Sequence, residues 1–181
     1  LDLVSNGRAS FGVGASWLRQ EWDAVELDFD RRGSRVDEAI EVCRRLWTES
    51  VVEHHGTFFD FGPVMFEPKP VQQPHPPLLV GGESAAALRR ASQLGDGWMA
   101  LSSDPEELTD YVQRLRELRE QHGRAGEPFT VICPSSGEQD HLRRLEDAGV
   151  DEVIVRPWRR SSECIEGLRR FADDHGLGRT T

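Results

Sequence analysis

From Leu78 onward the chain alternates four times between a short apolar run and a longer amphipathic one. Leu78 to Val80 leads into Ser84 to Leu94, and Gly97 to Leu101 into Asp104 to His122. Phe129 to Cys133 leads into Gln139 to Ala148, and Glu152 to Val155 into Ser162 to His175. The first runs are short and mostly uninterrupted by polar residues, which predicts strands covered on both faces. The second runs carry helical spacing. Strands separated by helices form right-handed βαβ units around a parallel sheet. The predicted fold class is therefore α/β.

The upstream part extends the same pattern. Ala9 to Gly14 (ASFGVG) is strand-like and ends in Gly-x-Gly. Ser34 to Trp47 places Val36, Ile40, Cys43 and Trp47 near helical spacing, with Ser34 as a cap and Asp37 and Glu38 in the first turn. Between them and Leu78 lies an excursion, residues 48–77, holding six of the ten prolines and four of the eight phenylalanines. It is expected to be an irregular insertion, and loops of that length tend to be functional or mobile.

The count is about five βα units in a single domain, 1–181. Five units fit an open doubly wound sheet, or strands 4 to 8 of an eight-fold βα barrel of the TIM type whose first three units precede Leu1. The prefix LDLVSNGR reads as the tail of a helix and a turn into the first visible strand, which favours the barrel. A doubly wound nucleotide-binding domain would carry a glycine fingerprint directly after its first strand, and that is missing here.

Charge and cysteines narrow the function. The net charge is −10 and no basic cluster is present, so no nucleic-acid partner is expected. No apolar run approaches the ~20 residues of a membrane helix, and no basic-then-apolar leader is visible. Cys43, Cys133 and Cys164 are widely spaced, which predicts free thiols in a reducing cytoplasm and no metal cluster.

One stretch, PPLLVGGESAAALRR (76–90), concentrates possible binding chemistry. The strand-like run stops at Gly81-Gly82, and Glu83 and Ser84 open a helix. A backbone without Cβ atoms admits a ligand closely, and the first turn of a helix offers unpaired N–H groups to an anion. The other reading is a tight turn with Ser84 as a helix cap.

Motifs through the first 110 residues bear on this choice. Asp2, Ser5, Gly7 and Arg8 form a turn before the Gly12-x-Gly14 strand end. Trp17, Glu21 and Trp22 follow, then Asp28-Phe29 with Arg32, and a helix with Arg35 and Glu38 ending in Leu46-Trp47. Further on come Gly56-Thr57-Phe58-Phe59, Pro68-Lys69-Pro70-Val71-Gln72, Pro74-His75-Pro76-Pro77, Val80-Gly81-Gly82 and Gly95-Asp96-Gly97-Trp98. Together these resemble the luciferase-like monooxygenase family.

The resemblance implies a flavin- or deazaflavin-dependent oxidoreductase on a (β/α)8 barrel. Ligands of such barrels sit at the C-terminal strand ends. The implied cofactor-binding residues are Gly14, Ala15 and Ser16 after the first strand, and Gly81, Gly82, Glu83 and Ser84 after the next. The glycines would admit the cofactor, and Ser84 with the helix start would hold its phosphate. Members near bacterial luciferase carry an arginine about where Ala15 stands. The Val-Gly-x-Ser-Trp version resembles the actinobacterial branch that uses coenzyme F420, so F420 is the expected cofactor, with FMN as the alternative. The implied reaction is hydride transfer to or from a small organic substrate, in a homodimer. A valine at position 82 is expected to block binding and spare the fold. The family's catalytic residues often come from the first three strands, so none is named here.

Trp17 and Phe59 are candidates for the substrate pocket. His54 and His55 are read as an exposed loop pair, His75 as shaping a turn, and Trp98 as core. Glu21 and Arg32 are expected to pair across the loop after the first strand. Arg114, Arg116 and Arg119 read as a solvated helix face. Arg156, Trp158, Arg159 and Arg160, after the last strand, are read either as a solvated loop or as a clamp for an acidic cofactor tail. The alternative for the whole chain is a non-catalytic or truncated relative that needs a partner or dimerisation, since five units cannot close an eight-stranded barrel.

Overall fold

The computed structural model describes residues 1–177. The last four positions of the expected 1–181 domain lie outside the described residues. A five-stranded sheet forms the centre: β1 (Phe11–Val13), β4 (Leu78–Gly81), β5 (Gly97–Met99), β6 (Thr130–Ser135) and β7 (Glu152–Val155). The strand order is β1-β4-β5-β6-β7 and every pairing is parallel. The sheet is open, with β1 and β7 as its edges. The α/β class and the parallel sheet are as the sequence predicts.

Pleating decides which side chains meet the helices. Leu78, Val80, Trp98, Val131 and Cys133 point into one core. Across from them stand Val36 and Ile40 of α3 (Arg32–Thr48), Leu88 and Ala91 of α4 (Ala85–Leu94), Leu108, Val112 and Leu115 of α5 (Pro105–Gln121), and Leu145 of α6 (Gln139–Asp147). Trp98 is completely buried, as expected. The alternate positions, among them Gly12, Leu79, Gly97, Ile132 and Ile154, face the other side of the sheet. Ile154 is 53% exposed there.

The segment 48–77 is more ordered than its prolines suggest. It holds an antiparallel hairpin of β2 (Val52–His55) and β3 (Asp60–Val64). Pro63 lies in β3, a two-stranded edge position where a missing N–H is tolerated. The hairpin is fastened to α3 by one carboxylate. Glu38 accepts N–H bonds from Thr57, Phe58 and Phe59 at 2.9–3.1 Å, and His54 Nε2 lies 3.1 Å from it. The sequence reading of His54 as an exposed loop residue is corrected: it is 9% exposed, on β2. Its neighbour His55 is exposed, as expected, and contacts Asp60.

Two helix starts also differ from expectation. Ser34 does not cap α3, because a 3-10 turn at Phe29–Arg31 precedes the helix. Asp28 caps that turn by accepting the Asp30 N–H at 2.9 Å. A short helix α2 (Arg19–Asp23) fills the loop after β1, and a single-turn α1 (Asp2–Ser5) opens the chain. Asp2 of α1 accepts bonds from the Val71 and Gln72 amides and the Gln72 side chain, tying the two ends of this half together. The last helix is α7 (Cys164–Asp174). Cys43, Cys133 and Cys164 are free thiols, and burial raises the pKa of Cys43 and Cys133.

Candidate cofactor site

The C-terminal ends of β1 and β4 lie side by side. Gly12 pairs with Leu79 and Val13 with Val80, so the next residues, Gly14 and Gly81, share one rim. Gly14 is exposed, and a Cβ built there would meet no atom within 4 Å. A Cβ on Gly81 would sit 3.7 Å from the Val13 carbonyl oxygen and 4.0 Å from that of Met99, which is ordinary contact. Two adjacent strand ends therefore present bare backbone.

Gly82 differs from Gly81. Its φ is +110°, a conformation open to glycine alone at little cost, and a Cβ would lie 3.2 Å from the Ala87 Cβ. Its carbonyl accepts the indole N–H of buried Trp98 at 2.8 Å. The expectation that valine at 82 spares the fold is corrected on this ground: the side chain would strain the backbone and press on α4.

Ser84 is the N-cap of α4; its Oγ accepts the Ala87 N–H at 3.2 Å. Glu83 is committed to the next loop, where its carboxylate accepts the N–H groups of Leu101 and Ser102 at 2.9 and 2.7 Å. Across the rim, Ala15 turns into the core. Ser16 has φ +54° and is gripped from two sides. Its hydroxyl donates to Glu21 at 2.7 Å, and Arg32 Nε donates to its carbonyl at 3.3 Å. Glu21 and Arg32 thus meet through Ser16; the direct pair expected from the sequence is absent among the described residues. Trp17, one residue on, is 81% exposed at this rim.

The structure does not bring Phe59 to this rim. Phe59 sits in the hairpin turn, its ring 4.9 Å from the Arg35 guanidinium and its N–H on Glu38. Glu38 is about 200° around α3 from Val36, which faces the sheet, so Phe59 packs on the far side of that helix. Arg156, Arg159 and Arg160 follow β7, are exposed and form no ion pair among the described residues, while Trp158 is half-buried. His75 is largely buried, with Nδ1 3.0 Å from the Pro76 carbonyl. Among the described residues no cluster of metal-ligating side chains occurs, and no helix is long and apolar enough to cross a membrane.

A bare double-strand rim beside a helix N-terminus has room for a planar group and donors for an anionic tail. Residues 1–137 match the family described as luciferase-like monooxygenase. The chain belongs to that family. An uncharacterized protein of Mycobacterium tuberculosis is 41% identical over 155 residues, covering 84% of this chain and 52% of the relative. The chain thus spans about half the length of that relative. An FMNH2-dependent dimethylsulfone monooxygenase of Pseudomonas putida is 30% identical over 128 residues, 69% of this chain and 35% of that protein. The coenzyme F420-dependent tetrahydromethanopterin reductase of Methanopyrus kandleri shares the fold, with a TM-score of 0.75, 15% identity, and coverage of 96% of this chain and 76% of that one.

Proposed function

We propose that this chain supplies the cofactor-holding strands of an oxidoreductase that moves hydride between F420, or alternatively FMN, and a small organic substrate. Its five parallel strands are then the fourth to eighth of an eight-fold βα barrel. The observation that carries the reading is the pair Gly14 and Gly81: two neighbouring strand ends with no side chain, on the rim where barrel ligands bind.

The residues divide the work by chemistry. Gly14 and Gly81 leave room for a ring to lie against the backbone. The first turn of α4, with Ser84 at its cap, offers N–H donors and the positive end of the helix dipole to a phosphate. The Ser84 oxygen is engaged as an acceptor, so its hydroxyl proton remains for an anion. Glu83 contributes indirectly, by holding the Leu101–Ser102 loop at the same rim. Trp17 is placed to wall the ring or the substrate. When bound, the flavin or deazaflavin supplies the redox chemistry itself. Three free thiols are consistent with the cytoplasmic location we propose.

The test is a fluorescence titration of the intact protein with F420 and with FMN. Saturable binding of one assigns the cofactor. A folded protein that binds neither sinks the oxidoreductase reading and favours a non-catalytic relative, a view to which the structural employment of Glu83 and Ser84 lends weight.

A further inference from the structure

At the opposite end of the strands, between α5 and the segments leading into β6 and β7, lies a cavity of about 230 Å3. Its apolar wall includes Val112, Leu115, Phe129 and Val131, and its basic residues are Arg116 and Arg119. The sequence reading placed Arg119 on a solvated face; the structure buries it to 5% exposure. Its Nη2 donates to the carbonyls of Arg124 and Glu127, both at 2.8 Å, and its guanidinium lies 4.2 Å over the Phe129 ring. Its Nη1 is buried without any partner.

Buried guanidinium groups are ordinarily paired, and an orphan N–H is costly. The surroundings do not supply the missing charge. Three guanidiniums, from Arg44, Arg119 and Arg124, share two carboxylates, from Asp96 and Glu127. Arg44 Nε is likewise orphaned. Burial, and then repulsion from Arg124, lower the Arg119 pKa. Arg116, also lining the cavity and exposed, has no carboxylate partner among the described residues.

We propose that this cavity binds a small organic monocarboxylate, its headgroup on the exposed Arg116 guanidinium and in the field of the buried Arg119 charge, its apolar body over Phe129 and Leu115. Glu127 and Asp151 also border the space. Glu127 is taken up by Arg124 at 2.6 Å, and Asp151 accepts the Val131 N–H at 2.7 Å. Counting Arg44, Arg116, Arg119 and Arg124 against Asp96, Glu127 and Asp151 leaves an excess of one positive charge, which a monocarboxylate neutralises. The site does not depend on the cofactor reading.

The probe is benzoate, with benzamide as its neutral counterpart of the same shape, followed by ligand-observed NMR on the intact protein. Benzoate is expected to bind saturably at millimolar concentration and benzamide not to compete with it. Arg116→Gln, on an exposed position, should leave the ligand-free melting curve unchanged and weaken benzoate about tenfold, the worth of one charge-assisted contact. Equal binding of the two probes, no binding of benzoate, or an Arg116→Gln variant that binds as tightly as the parent would each overturn the proposal.

Discussion

The indole N–H of Trp98 reaches from the core to the carbonyl of Gly82 and bonds to it at 2.8 Å. The bond explains how a residue with φ +110° is held in place. Trp98 is fully buried on β5, so the rim at Gly82 inherits the rigidity of the core. Trp98→Phe keeps an aromatic ring but removes the donor and leaves a void. We expect it to cost about 1–3 kcal/mol in a urea unfolding series. It should also weaken cofactor binding, because the Gly82 carbonyl loses its anchor. An unchanged urea midpoint would show that the bond contributes nothing.

Gly81 and Gly82 separate two reasons for a glycine. At Gly82 the backbone conformation demands it, so Gly82→Ala should cost about 1–2 kcal/mol whatever binds nearby. At Gly81 the backbone tolerates a Cβ, and Gly81→Ala should leave the urea midpoint within about 0.5 kcal/mol of the parent. The same Gly81 substitution should lower cofactor affinity, since its methyl group would stand on the bare floor. Full affinity in a folded Gly81→Ala protein would remove Gly81 from the site.

These two residues also show how far sequence reasoning carries. The apolar runs at 78–80, 97–101, 129–133 and 152–155 mark strands, and the sheet follows them; burial on both faces fails at β7, an edge strand with Ile154 exposed. The glycine pair marks the strand end, although only Gly82 has a backbone that requires glycine. Roles set by distant partners were not legible. Glu83 finds its donors 18 and 19 residues away, and His54 is buried by Glu38, 16 residues upstream. Helical spacing marked Arg119 as a companion of Arg114 and Arg116, but a 3.6-residue period cannot tell a flank that packs under the next loop from one that meets water. The prolines of 48–77 hid a hairpin because an edge strand accepts Pro63 without losing a ladder bond.

Glu38 makes the hairpin sensitive to acid. Burial pushes its carboxyl pKa up, but bonds from Phe59, Phe58, His54 and Thr57 outweigh that and hold it below the usual value. A lowered folded pKa means that the carboxylate stabilises the fold fully above its unfolded pKa. The contribution is lost as pH falls through the lowered folded value. Below about pH 4 the parent should therefore lose stability more steeply than Glu38→Gln, whose amide does not titrate. At pH 7 the parent should be the more stable of the two, because glutamine lacks the second acceptor oxygen. Urea midpoints measured from pH 7 down to pH 3 check both limbs, and parallel curves for the two proteins would remove Glu38 from the acid response.

Ser84 tests whether the start of α4 holds a phosphate or only ends a turn. Ser84→Ala removes the cap and should cost about 1 kcal/mol under either reading. Ser84→Asp is the informative change. Aspartate caps helices as well as serine does and suits the dipole, so stability should be kept. Its negative charge, however, stands where the phosphate would. FMN affinity should then fall about tenfold or more, while riboflavin, which carries the same ring without the phosphate, should be little affected. Equal losses for FMN and riboflavin would mean that the substitution disturbs the ring floor and that the anion is held elsewhere. No loss for either would leave Ser84 with its capping bond alone.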